Sequence, residues 1–178
     1  MMSIVITGPE ASGKTQLSRA LSKHFNGFVV EEYARDYVEK LTTPYTFEDV
    51  EIIGRQQIAD YNRARSKSEK ETPVFFDTFL IVTKVWFEEV FNCCPWWIHR
   101  AIKTYKTNYA LLCAPDLPWQ ADGVRENPHL RDYLFERYAR ELDYYGISYG
   151  IVKGEGEERL LSAIEIVEKH FNLVSADQ

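Results

Sequence analysis

The spacing Gly8-x-x-x-x-Gly13-Lys14-Thr15 constrains this chain more than any other feature, because it stands between the apolar run Ile4-Val5-Ile6 and a helical stripe at Leu17, Leu21 and Phe25. A buried strand, a glycine loop and a helix in that order put the positive end of the helix over a loop whose amides can turn inward. Gly8 and Gly13 allow backbone conformations that a Cβ would obstruct. The segment Gly8, Pro9, Glu10, Ala11, Ser12, Gly13, Lys14, Thr15 and Gln16 is therefore the candidate phosphate cradle. Lys14 is expected to reach the terminal phosphate oxygens, and the Thr15 hydroxyl to be a ligand for Mg²⁺. The competing reading is a glycine-rich turn with a solvent-facing lysine.

The rest of the chain repeats the alternation of strand and helix. Short apolar runs at Ser3 to Thr7, Val29-Val30, Val74 to Phe76, Tyr109 to Cys113 and Ile147 to Val152 read as strands. Thr46 and Asp49 form a capping box that opens a long helix to about Arg65. Leu134, Tyr138 and Leu142 mark another helix, with Gly146 placed to end it, and Leu160, Ile164, Val167 and Phe171 mark the last. Five strands separated by helices predict an α/β fold, a three-layer α/β/α sandwich around a five-stranded parallel sheet, with ligands at the carboxyl ends of the strands. With 178 residues, 45% of them hydrophobic, residues 1–178 are read as one domain.

A formal net charge of −6 excludes broad binding to nucleic acid, which needs a basic face, while leaving a small anionic ligand open. Cys93, Cys94 and Cys113 form neither a disulfide framework nor a zinc pattern. No apolar run approaches membrane-spanning length and the first strand begins almost at Met1, so a cytoplasmic chain without membrane contact is expected.

The strand ends supply the candidate chemistry. Asp77, closing the run Val74-Phe75-Phe76, is read as a partner of the same Mg²⁺, with a helix N-cap as the alternative. An acceptor hydroxyl needs a base, and the segment 31–37, EEYARDY, follows the second strand. Glu32 is the candidate base, with Asp77 as the second choice, Arg35 for acceptor oxygens, Tyr33 for stacking or orientation, and Asp36 assisting. The alternative is a charged, partly exposed turn of helix.

The stretch 115–131, PDLPWQADGVRENPHLR, has three prolines and a glycine after a core strand, which suits a lid over about 116–132. Its Arg125 and Arg131 would neutralise charge on a transferring group; an ordinary solvated loop is the alternative. Trp119, between Asp116 and Asp122, offers an aromatic face with carboxylates, which suits a flat cation, or it only packs the loop down. Length rules out large motors. The segment CAPDLPW after the fourth strand lacks the N-K-x-D stretch of a guanine-reading switch. Transfer to a small acceptor is favoured.

Five blocks in one order, G-P-E-x-S-G-K-T at 8–15, E-Y-x-R at 32–35, G-x-Q at 54–56, D-T at 77–78 and W-x-x-D-G-x-R at 119–125, resemble the nicotinamide riboside kinase family, the kinase domain of NadR-type proteins within the P-loop superfamily. The resemblance implies ATP and Mg²⁺ as cofactors, a nucleoside substrate phosphorylated on its 5′-hydroxyl, and Lys14, Glu32, Asp77 and Arg125 as catalytic. It implies Tyr33, Arg35, Gln56, Trp119 and Asp122 as contributors to acceptor binding and Arg125 to nucleotide binding, to which the reading of the residues themselves adds Asp36 on the acceptor and Arg131 on the nucleotide. Adenylyl transfer is expected on a separate protein, and the oligomeric state is left open, a homo-oligomer included. The family commonly has a second acid where this chain has Phe79, so the implied acceptor is nicotinamide riboside with other nucleosides, or a regulatory nucleotide-binding role, as alternatives.

Overall fold

β-branched and aromatic runs bounded by polar turns leave the chain little choice but short buried strands, and the helical stripes between them supply their covers. The computed structural model describes residues 1–68, 71–119 and 128–172. The strands are β1 (Met2–Thr7), β2 (Phe28–Val30), β3 (Pro73–Asp77), β4 (Tyr109–Cys113) and β5 (Tyr149–Val152). The α-helices are α1 (Lys14–His24), α2 (Tyr33–Val38), α3 (Phe47–Lys67), α4 (Leu80–Phe91), α5 (Trp96–Thr104), α6 (Arg131–Tyr144) and α7 (Gly156–Phe171), and a short 3-10 turn, Pro128–Leu130, leads into α6.

All pairings are parallel and the order is β2-β3-β1-β4-β5. The chain lays β2 and β3 on one side of β1, then crosses to β4 and β5 on the other. The carboxyl end of β1 is therefore the point where the winding reverses, and a crevice opens there. Successive side chains of each strand enter opposite layers. Ile4, Ile6, Phe75, Leu111 and Val152 pack under α1 and α7, while Val5, Val74, Phe76, Ala110 and Leu112 pack under α3, α4, α5 and α6. Each fully buried Phe or Ile contributes about 1.5–3 kcal/mol.

Two helix ends follow their expected chemistry. The Thr46 hydroxyl accepts from the Asp49 N–H while the Asp49 carboxylate accepts from the Thr46 N–H, 2.7 Å away. At the end of α6, Gly146 has φ 64°, its N–H donates to the Asp143 carbonyl and the Ile147 N–H donates to that of Leu142. That closure uses the Ile147 amide, so β5 begins two residues later than the apolar run predicts.

α4 and α6 are joined by a buried ionic cluster. Lys84 Nζ lies 2.7 Å from Glu88 Oε1 and 2.9 Å from Glu141 Oε2, and Arg137 pairs with Glu88, Glu89 and Glu141. Among the described residues no helix is long and apolar enough to cross a membrane.

Candidate functional site

The loop after β1 folds around its outward-facing carbonyls. Gly8 has φ 141°, and a Cβ there would lie 2.7 Å from the Cys113 carbonyl oxygen on β4. Ala11 and Gly13 also have positive φ, 52° and 75°. Lys14 Nζ and Ser12 Oγ both donate to the Pro9 carbonyl, at 2.8 and 2.7 Å. Arg131 donates to the Ala11 carbonyl (3.3 Å) and to that of Leu117 (2.9 Å). Arg159, from α7, donates to the Ser12 carbonyl at 2.8 Å. Arg131 was expected on the phosphates; in this structure its hydrogen bonds go to main-chain carbonyls.

From this loop a cleft of about 970 Å³ runs between the helices. Gly8, Glu10 to Gln16, Leu117, Pro118, Glu155, Gly156 and Leu160 line one half. The other half is lined by Glu32, Arg35, Tyr45, Gln57, Thr83, Trp86, Glu89 and Tyr138. Tyr45 meets Trp86 edge-on with ring centroids 4.9 Å apart. Burial, and after it the carboxylates of Glu10, Glu32 and Glu89, push the Tyr138 hydroxyl upward.

Asp77, at the end of β3 and paired in register with Ile6 of β1, is almost wholly buried. Neither of its carboxylate oxygens has a hydrogen-bond donor among the described residues. Burial first, then the Glu32 carboxylate, pushes its pKa up to about 6, opposed by the Thr15 hydroxyl and the Lys14 ammonium. The N-cap of α4 is Phe79, not Asp77, so the capping alternative does not describe this side chain. An acid left without a donor beside a threonine hydroxyl suits a hard cation, which takes oxygen ligands and keeps several for phosphate and water. Thr15 and Asp77 fit Mg²⁺ on that ground. Among the described residues no cluster of three or more His, Cys, Asp or Glu forms a metal cage of its own.

The remaining expected residues divide. Glu32 lines the cleft and pairs with Arg35, 3.6 Å away. Tyr33, Asp36 and Gln56 instead line a separate depression between β2 and α3, which Glu32 also borders. There Gln56 donates to Asp60 at 3.0 Å. The cleft is reached by the neighbouring Gln57. Trp119 is half-buried and follows Leu117 and Pro118, which line the cleft. Asp116 is engaged within the protein: it accepts from Arg159 and from the Gly154 N–H, both at 2.7 Å. Asp122 and Arg125 lie outside the described residues, as does the middle of the expected lid. Phe79 is buried in the core, its ring 5.6 Å from those of Tyr61 and Phe76.

Sequence reasoning missed Arg159, Gln57, Thr83, Trp86 and Glu89. Arg159 had a signal: it occupies a buried position four residues before Ala163 on the apolar face of α7, where a charge is unusual.

A glycine loop at the reversal point of a parallel sheet, with a buried acid on the adjacent strand, defines a P-loop α/β protein. The chain belongs to the AAA_28 family of AAA domains, whose model matches residues 3–159. It is similar to the trifunctional NAD biosynthesis/regulator protein NadR of Escherichia coli, 26% identical over 93% of this chain and 42% of that protein. Two solved NadR structures share the fold with a TM-score of 0.79 each, over 99% of this chain: one in complex with NR, 23% identical over 53% of its own chain, and one with NAD and AMP-PNP, 21% identical over 51%. The chain thus spans about half the length of these relatives or less.

Proposed function

We propose that this chain is an ATP- and Mg²⁺-dependent kinase of a small nucleoside, with nicotinamide riboside as the acceptor and nicotinamide mononucleotide as the product. The observation that carries it is the unpartnered Asp77 carboxylate, buried near Thr15 and Lys14 of the phosphate loop and one residue before Thr78, which lines the cleft. The likeness to NadR, one of whose structures holds NR, supports the acceptor. A pyridinium ring is a flat cation, and Trp86, Tyr45, Glu32 and Glu89 offer ring faces and carboxylates to it.

The loop amides and Lys14 bind and orient the triphosphate, and Thr15 with Asp77 would hold Mg²⁺, which neutralises charge on the phosphoryl oxygens when bound. Glu32 orients the 5′-hydroxyl and accepts its proton as the oxygen forms its bond to the γ-phosphorus and the bridge to ADP breaks. Phe79 stands where relatives commonly carry an acid, but its ring lies in the core and does not obstruct the cleft. The acid itself is absent, and that absence is what favours the second reading, a regulatory nucleotide-binding role without turnover.

The test is ADP release from ATP with a panel of nucleosides. Turnover with nicotinamide riboside above that with deoxynucleosides, abolished in Lys14→Ala, is expected. Tight nucleotide binding with no acceptor-dependent ADP release from any nucleoside overturns the reading.

A further inference from the structure

Arg159 is 147 residues from Ser12 in sequence and 2.8 Å from its carbonyl oxygen. Its guanidinium is buried, and both terminal nitrogens donate hydrogen bonds. One terminal nitrogen donates to the Ser12 and Ala114 carbonyls, at 2.8 and 3.1 Å. The other donates to Asp116 Oδ1 and to the Gly154 carbonyl, both at 2.7 Å. The Asp116 carboxylate closes the circuit by accepting from the Gly154 N–H. Nε is buried with no partner among the described residues, and a Cβ on Gly13 would lie 3.7 Å from it. One side chain thus spans the phosphate loop, the exit of β4 and the turn after β5.

We infer that Arg159 is a positioning residue: it aims an amide of the phosphate loop and locks that loop to the turn after β5, which borders the other end of the nucleotide half of the cleft. A trans peptide plane points its C=O and the next N–H in opposite directions. Drawing the Ser12 carbonyl outward therefore turns the Gly13 N–H inward, towards the phosphates. Arg131 acts alike on Ala11, and so on the Ser12 N–H. The ion pair with Asp116 leaves no net charge to offer the phosphates, so the effect is one of geometry. A loop with three residues at positive φ needs such external ties, because an isolated chain would relax out of that conformation. Gly154 and Gly156 carry positive φ as well, and the turn they form lines the cleft with Glu155 and Leu160. Through Arg159, order at one end of the nucleotide is order at the other.

This rests only on the nucleotide-binding half of the proposed function. The experiment is calorimetry of Mg²⁺-tripolyphosphate and of Mg²⁺-ATP on wild type, Arg159→Met, Arg159→Lys and Asp116→Asn, each checked for fold by circular dichroism. Arg159→Met is expected to weaken tripolyphosphate about tenfold or more, the equivalent of losing one charge-assisted hydrogen bond's worth of organisation. Asp116→Asn should fall between it and wild type, and Arg159→Lys should recover part of the loss. In steady-state assays KM for ATP rises while KM for the nucleoside holds. A folded Arg159→Met protein that binds tripolyphosphate as wild type does, whatever its Tm, overturns the inference. If that variant does not fold, unchanged tripolyphosphate affinity in Asp116→Asn overturns it. Wild type that binds neither ligand would instead refute the nucleotide site itself.

Discussion

The Thr83 hydroxyl donates to the side-chain oxygen of Gln57 across 2.7 Å of buried space, joining α4 to α3 along the cleft. With its oxygen engaged, the Gln57 amide has its NH₂ donors left for an acceptor oxygen. Gln57→Ala should raise KM for the nucleoside about tenfold with KM for ATP unchanged, since one hydrogen bond to the acceptor is lost. Gln56→Ala should leave both within twofold, because that amide is turned to Asp60 in the other depression. Initial-rate kinetics with each substrate varied separates the two.

That pair of glutamines also shows where a sequence stops being informative. The phosphate loop was legible because its conformation demands glycines at fixed spacing, and the sheet because apolar runs that short can only be buried strands. Gly54 in the G-x-Q block has a packing reason: a Cβ there would lie 3.0 Å from Trp97 and 3.2 Å from Ile98. Which of two adjacent glutamines enters a cleft depends on the rotation of α3 against α4, and no local rule encodes that rotation. The destination of Phe79 was equally hidden. Thr78 takes φ 67° after β3, and this turn sends the next side chain into the core. Arg131 reads as a phosphate ligand from its place in the proline-rich stretch, and its hydrogen bonds to the Ala11 and Leu117 carbonyls depend on the folded loop, which no local rule encodes.

Asp77 couples stability against activity. Its ionised carboxylate is buried without a donor, a placement that costs stability unless a cation fills it. Asp77→Asn removes the charge at nearly constant volume. The metal-free protein should gain about 2 kcal/mol, seen as a Tm higher by roughly 4–8 °C in EDTA. The same variant should lose at least about a hundredfold in kcat with Mg²⁺ present. Differential scanning fluorimetry with and without Mg²⁺-ATP reads both sides: the wild-type protein is stabilised by the ligand and the variant far less. A variant that is less stable in EDTA would mean that the carboxylate has a stabilising partner.

The ionic cluster between α4 and α6 behaves differently from pairs at the surface. Lys84 is nearly fully buried and sits against Glu88 and Glu141. Lys84→Met leaves both carboxylates with Arg137 as their remaining cation, and should cost about 3–5 kcal/mol in urea denaturation. The pair of exposed Arg63 with half-buried Asp60 is the control, where Arg63→Ala should change stability by about 1 kcal/mol or less. Equal effects from the two variants would show that the cluster is effectively solvated.

The three cysteines separate by environment. Cys93 is exposed, Cys94 is half-buried next to it, and Cys113 is fully buried in β4. Burial, and then the carboxylate of Glu88, push the Cys94 thiol up to about 12. Because the thiolate is the nucleophile, about one Cys94 in ten thousand is reactive at pH 8. Iodoacetamide at pH 8 should therefore modify Cys93 alone in the folded protein, as read by intact mass and peptide mapping. Raising the pH to 9.5 should speed Cys94 labelling in proportion to hydroxide, roughly thirtyfold, because the group is still far below its midpoint there. Complete labelling of Cys94 at pH 8 at the rate of Cys93 would show that neither burial nor the Glu88 and Glu141 carboxylates hold the thiol protonated.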